Sequence, residues 1–266
     1  WALIIAVVFV ISELVCVVCV PERPVACDEK PGKISDMFKA LFKNDQAMTV
    51  VVSIILVYTS LNICGNLVLY FFRFDVGNEG AYSIFAAVAF AAQVLVMMVI
   101  PLLRKRFSKS QLFISGFIIQ ISGFAVILIM AFAKLYTPQS WYILCLPGIL
   151  IYLGYGMLNV IMTIFLSDSV DYGEVMNGTR EESVIFSMQT FTVKLASGVA
   201  VFLAGLVVDW IHLDTAAAVQ TQDTLDALRM WMTIPSVILL IVGIFVFKRF
   251  YKLDDARMEE IKSKLN

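Results

Sequence analysis

The chain has 266 residues, of which 60% are hydrophobic and 15% charged, and a formal net charge of -1 at pH 7. Soluble domains carry about a quarter charged residues, so this composition excludes an ordinary soluble domain and points to a polytopic membrane protein. The single histidine, His212, excludes a histidine-based metal site and a His-dependent catalytic triad.

The first apolar stretch is residues 1–20, WALIIAVVFVISELVCVVCV. It is too long and too bare for a signal-peptide core, and no small-residue cleavage site follows it. It opens on Trp1, which leads to the expectation that the chain begins inside a longer protein. Cys16 and Cys19 have redox-motif spacing but sit in a β-branched apolar run without a βαβ pattern, so they read as packing residues.

Residues 21–45 are a polar connection with one organised part. In ISDMFKALFKND, the residues Ile34, Met37, Phe38, Leu41 and Phe42 recur at helical spacing, while Lys39 and Lys43 face elsewhere. Ser35 is a candidate cap and Asp36 suits the first turn. The segment reads as a short amphipathic helix lying on a membrane surface.

Six further runs long enough to cross a bilayer follow, at 46–72, 80–103, 110–133, 141–166, 184–210 and 228–247. Alternate connections differ sharply in Lys and Arg. The set 21–45, 104–109, 167–183 and 248–266 holds sixteen, and the opposite set holds two. By the positive-inside rule the 21–45 loop and the C-terminus are expected in the cytoplasm, with Trp1 starting outside. One span, a cytoplasmic loop and six spans suit a transporter built from two six-helix halves. On that plan residues 1–20 close an N-terminal half, 21–45 are the middle loop, 46–249 form the C-terminal bundle and 250–266 a tail. The expected class is an all-α polytopic membrane protein.

Polar residues inside the apolar runs need a reason. Lys194 is the only basic residue deep in such a run. A charge at mid-membrane costs roughly 2.5–3.5 kcal/mol on insertion scales. Lys194 lies about 15 Å along its helix, beyond the reach of a snorkelling stem. A structural ion pair with Glu13 is one reading, and a functional role is the other. Ser187, Thr190 and Lys194 share a helical face, continued by Ser197 and Gly198, with Gln189 beside it. Tyr58, Asn62 and Asn66 repeat every four residues, as do Tyr155, Asn159 and Thr163. Each stripe alone could be interhelical hydrogen bonding. Together they suggest a shared aqueous site for a polyhydroxylated or anionic solute. Pro147-Gly148 and Pro235 are candidate kinks, and Gly116 and Gly123 a packing face.

The loop SDSVDYGEVMNGTREES holds Asp168, Asp171, Glu174, Glu181 and Glu182 against Arg180. Three readings stand open: a solvated loop, a divalent-metal site of a membrane enzyme, and a charged latch that meets the basic RKRFSK turn at 104–109. The metal reading lacks a second acidic motif, so neither a metal nor a catalytic residue is assigned.

This run continues into VIFSMQTFTVKLASG. The DxxDYGE, the Arg before EES, and the QTxxxK together resemble the glycoside-pentoside-hexuronide:cation symporters, the melibiose carrier-like family of the major facilitator fold. The resemblance extends more weakly over the whole chain, from a sixth helix through helices seven to twelve. It implies that Gln189, Thr190 and Lys194 line a sugar cavity. It also implies that Asp168, Asp171 and Arg180 belong to a cytoplasmic charge network. Where the melibiose carrier has a sugar-contacting tryptophan, this chain has Asn159, so galactoside specificity does not carry over.

The expected function is cation-coupled symport of a sugar, glycoside or hexuronide by alternating access, without a resident cofactor. Tyr58, Asn62, Asn159, Gln189, Thr190 and Lys194 are the expected substrate residues, and Asp168, Asp171, Glu174 and Arg180 the cytoplasmic gate. The coupling Na+ or H+ would bind mainly in an N-terminal half that this chain lacks. The expected partners are that half, the bilayer and a small polyhydroxylated solute, with no nucleic acid; the expected location is the plasma membrane. A lysolipid carrier of the same fold and a metal-dependent membrane enzyme are the rival readings.

Overall fold

A computed structural model describes residues 2–19, 42–178 and 182–265, all of whose regular structure is helical. The chain comprises two units, Trp1–Asp36 and Met37–Asn266. The first contains α1, Ala2–Cys19, an uninterrupted apolar helix in which the Ser12 hydroxyl donates to the Phe9 carbonyl at 2.8 Å. Cys16 and Cys19 on it form no disulfide among the described residues. Most of the expected surface helix at 34–42 lies outside the described residues, which resume at Phe42.

The second unit holds α2 (Asp45–Tyr70), α3 (Ala81–Leu103), α4 (Lys109–Phe132), α5 (Cys145–Asn177), α6 (Glu182–Trp210), α7 (Gln222–Phe250) and α8 (Asp255–Leu265). The first six are long and apolar enough to cross a membrane. Their starts follow local chemistry. Asn44 accepts from the Ala47 amide to cap α2, Ser108 and Gln111 form a reciprocal capping box on α4, and Thr221 caps α7.

Hydropathy misplaced some ends. The apolar run of α5 stops near Leu166, yet the helix continues to Asn177 and ends on Gly178, whose φ of 72° a residue with a side chain rarely adopts. At 33 residues it is about 50 Å long, more than a bilayer core of about 30 Å. Its acidic turn, expected as a loop, is therefore helix. The tail at 250–266 contains a second unexpected helix, α8. Pro147 falls in the first turn of α5, just after a 3-10 turn at Trp141–Leu144. There its missing N–H costs little, and the chain changes winding at Leu144–Cys145. Pro235 does lie inside α7.

The packing has an internal repeat. α2 packs against α6 and α7, α5 packs against α3 and α4, and α2 and α5 meet at the centre. The units α2–α3–α4 and α5–α6–α7 start at opposite ends of the bundle, which is the pattern of inverted three-helix repeats. Gly116 and Gly123 form the expected packing face: a Cβ on Gly123 would lie 2.7 Å from the Ile151 backbone nitrogen of α5. One end of the bundle carries Arg104, Lys105, Arg106 and α8, and is called the basic end below.

Candidate functional site

The stripes on α2 and α5 meet. The Asn159 amide donates to the Tyr58 hydroxyl at 2.5 Å, and the Tyr58 and Tyr155 rings stand edge to face at 5.5 Å. On α2, Asn62 donates to the Tyr58 carbonyl and Asn66 to the Asn62 carbonyl, each at 2.7 Å. These bonds hold both side chains against their own helix. Their amide oxygens are left as acceptors on a half-buried face.

The third helix joins through one residue. Gln189 on α6 donates to the Thr163 hydroxyl at 3.4 Å, and Thr163 donates to the Asn159 carbonyl at 3.1 Å. A polar line thus runs from Asn62 through Tyr58, Asn159 and Thr163 to Gln189, across α2, α5 and α6.

Lys194 is not on that line. Five residues separate it from Gln189, which is about 140° around a helix. Ile185, Met188, Thr192, Ala196 and Ala200 form the buried face of α6, and Ser187, Thr190 and Lys194 project from the exposed side. Ser187 and Thr190 donate to carbonyls of their own helix. Lys194 makes no hydrogen bond or ion pair with any described residue. The sequence-derived set therefore divides. Tyr58, Asn62, Asn159 and Gln189 lie on one face, and Thr190 and Lys194 on the outward face beside it.

At the basic end the acidic turn meets the RKRFSK turn. Lys109 and Asp168 form an ion pair in which both side chains are less than a tenth exposed. Lys109 also lies 3.5 Å from Asp255, the first residue of α8, and Arg104 pairs with the same carboxylate at 3.3 Å. Leu253, Met258 and Ile261 of the tail pack against Tyr172 and Val175 of α5. Asn44 ties in α2 by donating to the Ser169 carbonyl at 2.7 Å. Tyr251 is half-buried among these groups, with its hydroxyl buried and unpartnered among the described residues. Burial pushes that hydroxyl above its usual range, and Asp168 and Asp255 add to the effect. Asp171 and Glu174 lie half-buried on the same turns of α5, each with interactions of its own. Arg180 lies outside the described residues. Of the three readings of the acidic segment, the solvated loop fails for Asp168. Its contact with the basic turn is made within one bundle.

A second charge cluster was not read from the sequence. At the opposite end, Arg229 donates to both Asp75 oxygens, at 2.8 and 2.5 Å, and to Asp226 at 2.7 Å. Tyr136 donates to Asp75 at 2.5 Å. Burial raises the Tyr136 hydroxyl above its usual value, and Asp75 raises it further. Asp75 ends a π-helical turn, Phe71–Asp75, that extends α2. Only the odd position of Arg229, just inside an apolar run, hinted at this pair. Gln120 on α4 is fully buried with both amide atoms unpartnered among the described residues, a position that no pattern in the sequence marks.

Comparison with known proteins follows the same lines. A family described as MFS/sugar transport protein matches residues 1–255. The uncharacterized symporter YjmB of Bacillus subtilis is 25% identical over 88% of this chain and 49% of its own length. The raffinose carrier protein of Pediococcus pentosaceus is 24% identical over 87% of this chain and 35% of its own. The isoprimeverose transporter of Lactiplantibacillus pentosus is 25% identical over 95% and 51%. The chain spans about half or less of the length of these relatives. They are named as symporter, carrier and transporter, which sets aside the membrane-enzyme reading.

Proposed function

The chain belongs to the MFS/sugar transport protein family, melibiose carrier-like and multi-pass in the membrane, and from that premise we propose that it forms the C-terminal half of a cation-coupled sugar, glycoside or hexuronide symporter. The observation that carries this reading is the polar line from Asn62 to Gln189. It joins three helices along a half-buried to exposed face of an apolar bundle, and at membrane depth hydroxyls and amides on such a face need a polar occupant or one another.

In this reading Tyr58, Asn62, Asn159 and Gln189 present donors, acceptors and a ring face to a pyranose. Thr190 and Lys194 face the N-terminal half across the cavity, and Lys194 supplies a cation to a substrate hydroxyl or carboxylate. The coupling Na+ or H+ is carried mainly by that other half. The basic end is cytoplasmic, and Lys109, Asp168, Asp255 and Arg104 keep its helices together while the two halves rock. Asp171, Glu174 and Arg180 are the further residues of this cytoplasmic gate.

The test is counterflow of labelled glycosides into vesicles containing the full-length protein. Counterflow of at least one glycoside, together with net uptake of it that depends on a Na+ or proton gradient, supports the reading. Lysolipid movement without glycoside movement from a broad panel overturns it.

A further inference from the structure

α2 and α7 lie side by side, and at the basic end they flank a groove of about 410 Å³. Met48 and Val52 of α2 and Val246 and Phe250 of α7 line it, with Phe42 and Lys252. Phe42 is 68% exposed and Phe250 50%, so two large rings are unfilled on the groove side of the bundle.

The cations here are distributed unevenly. Arg249 holds its guanidinium 5.7 Å from the centroid of the Phe250 ring. Lys252 lines the groove directly, and its backbone N–H is fixed by the Gln46 side chain at 2.8 Å. Neither side chain has an ion-pair partner among the described residues. Asp45 also lines the groove; its carboxylate accepts from the Gln46 amide at 2.8 Å and keeps its charge, so Lys252 and Arg249 together outweigh it by one positive charge. The level in the bilayer is set by α7 itself, whose apolar span ends in Lys248 and Arg249. Basic residues at the end of a span mark the headgroup layer.

We infer that this groove is a binding site for one anionic phospholipid. An acyl chain lies between Met48, Val52, Val246 and Phe250, and the phosphate is held by Lys252 and Arg249. Charge complementarity selects an anionic over a zwitterionic headgroup. The molecule contains its own contrast. A second groove of about 530 Å³, lined by Ile63, Leu203, Trp231, Pro235 and Ile238 among others, has no cation in its lining among the described residues. It can accept a chain but cannot choose a headgroup.

The experiment is native mass spectrometry of the full-length protein in detergent, titrated with phosphatidylglycerol or phosphatidylcholine of matched chains. Phosphatidylglycerol is expected to stay bound at activation energies that strip phosphatidylcholine. Lys252→Gln and Arg249→Gln should each weaken its retention by about fivefold, from about 1 kcal/mol per basic residue near the lipid surface, with phosphatidylcholine unchanged. Lys264→Gln, whose amine pairs with Glu260 at 2.7 Å, serves as the control and should have no effect. Equal retention of the two lipids overturns the inference. So does an equal loss in the control, or a benzoylphenylalanine at position 246 that crosslinks to protein and not to lipid. Thermal unfolding of each variant checks that a loss of lipid is not a loss of fold.

Discussion

The Tyr58 hydroxyl accepts the Asn159 amide at 2.5 Å and so joins the central helices of the two three-helix repeats, α2 and α5. It does this on the face that also bears Asn62, Thr163 and Gln189. In the proposed function that bond sets the orientation of the Tyr58 ring toward substrate.

Tyr58→Phe keeps the ring and removes the acceptor. One neutral hydrogen bond contributes about 0.5–1.5 kcal/mol, so apparent substrate affinity should fall about three- to tenfold with little change in protein yield. Asn159→Ala should cost at least as much, and the double variant should lose less than the sum of the two because they share one bond. Uptake kinetics on the full-length protein measure all three.

Lys194 has no partner among the described residues, and its side chain is exposed. Lys194→Ala should therefore leave the melting temperature of the full-length protein within about a degree or two, since substitutions away from packed features change stability little. Transport at low substrate should fall at least tenfold. Wild-type uptake in this variant removes Lys194 from the substrate set.

The Lys109–Asp168 pair is buried, so Lys109→Met strands the Asp168 charge, and Asp168→Asn leaves Lys109 only the part-exposed Asp255 carboxylate at 3.5 Å. Asp168→Asn and Lys109→Met should each destabilise by about 3–5 kcal/mol. Lys109→Met with Asp168→Leu should recover most of that stability, because two apolar residues strand no charge. If the pair serves the gate, the double variant remains slow in counterflow while stable in a thermal melt.

The opposite end gives a pH prediction. Burial and Asp75 hold the Tyr136 hydroxyl above its ordinary value. The folded state then keeps a proton that the unfolded state releases at high pH. The stabilisation is complete below the unfolded value of about 10 and declines as pH rises beyond it. Thermal melts between neutral pH and pH 11 should show a steeper alkaline decline for the wild type than for Tyr136→Phe.

The sequence showed the spans and the helical stripes because both are local. Hydropathy locates an apolar run, and a spacing of four puts Tyr58, Asn62 and Asn66 on one face. Which face meets which helix is not local. Nothing in the 187–194 spacing says that Gln189 turns to Thr163 while Lys194 turns outward. The continuation of α5 past Leu166 was hidden because its last turns are polar; they hold their place through Lys109, Asn44 and α8. Asp75 and Arg229 are 154 residues apart and share no motif, so their pairing becomes visible only in the folded bundle. The Lys109–Asp168 pair joins the acidic segment to the basic turn across 59 residues, a contact that no local pattern specifies.

The central claim is that the face from Tyr58 to Gln189 holds a sugar. Thr163→Cys places a thiol on it, in a full-length background with the other cysteines replaced. The measurement is its alkylation rate by a small maleimide, with and without a glycoside that the protein moves in counterflow. The account expects that glycoside to slow alkylation at least severalfold, and a non-transported sugar to leave it unchanged. Unchanged alkylation at saturating transported glycoside would contradict it.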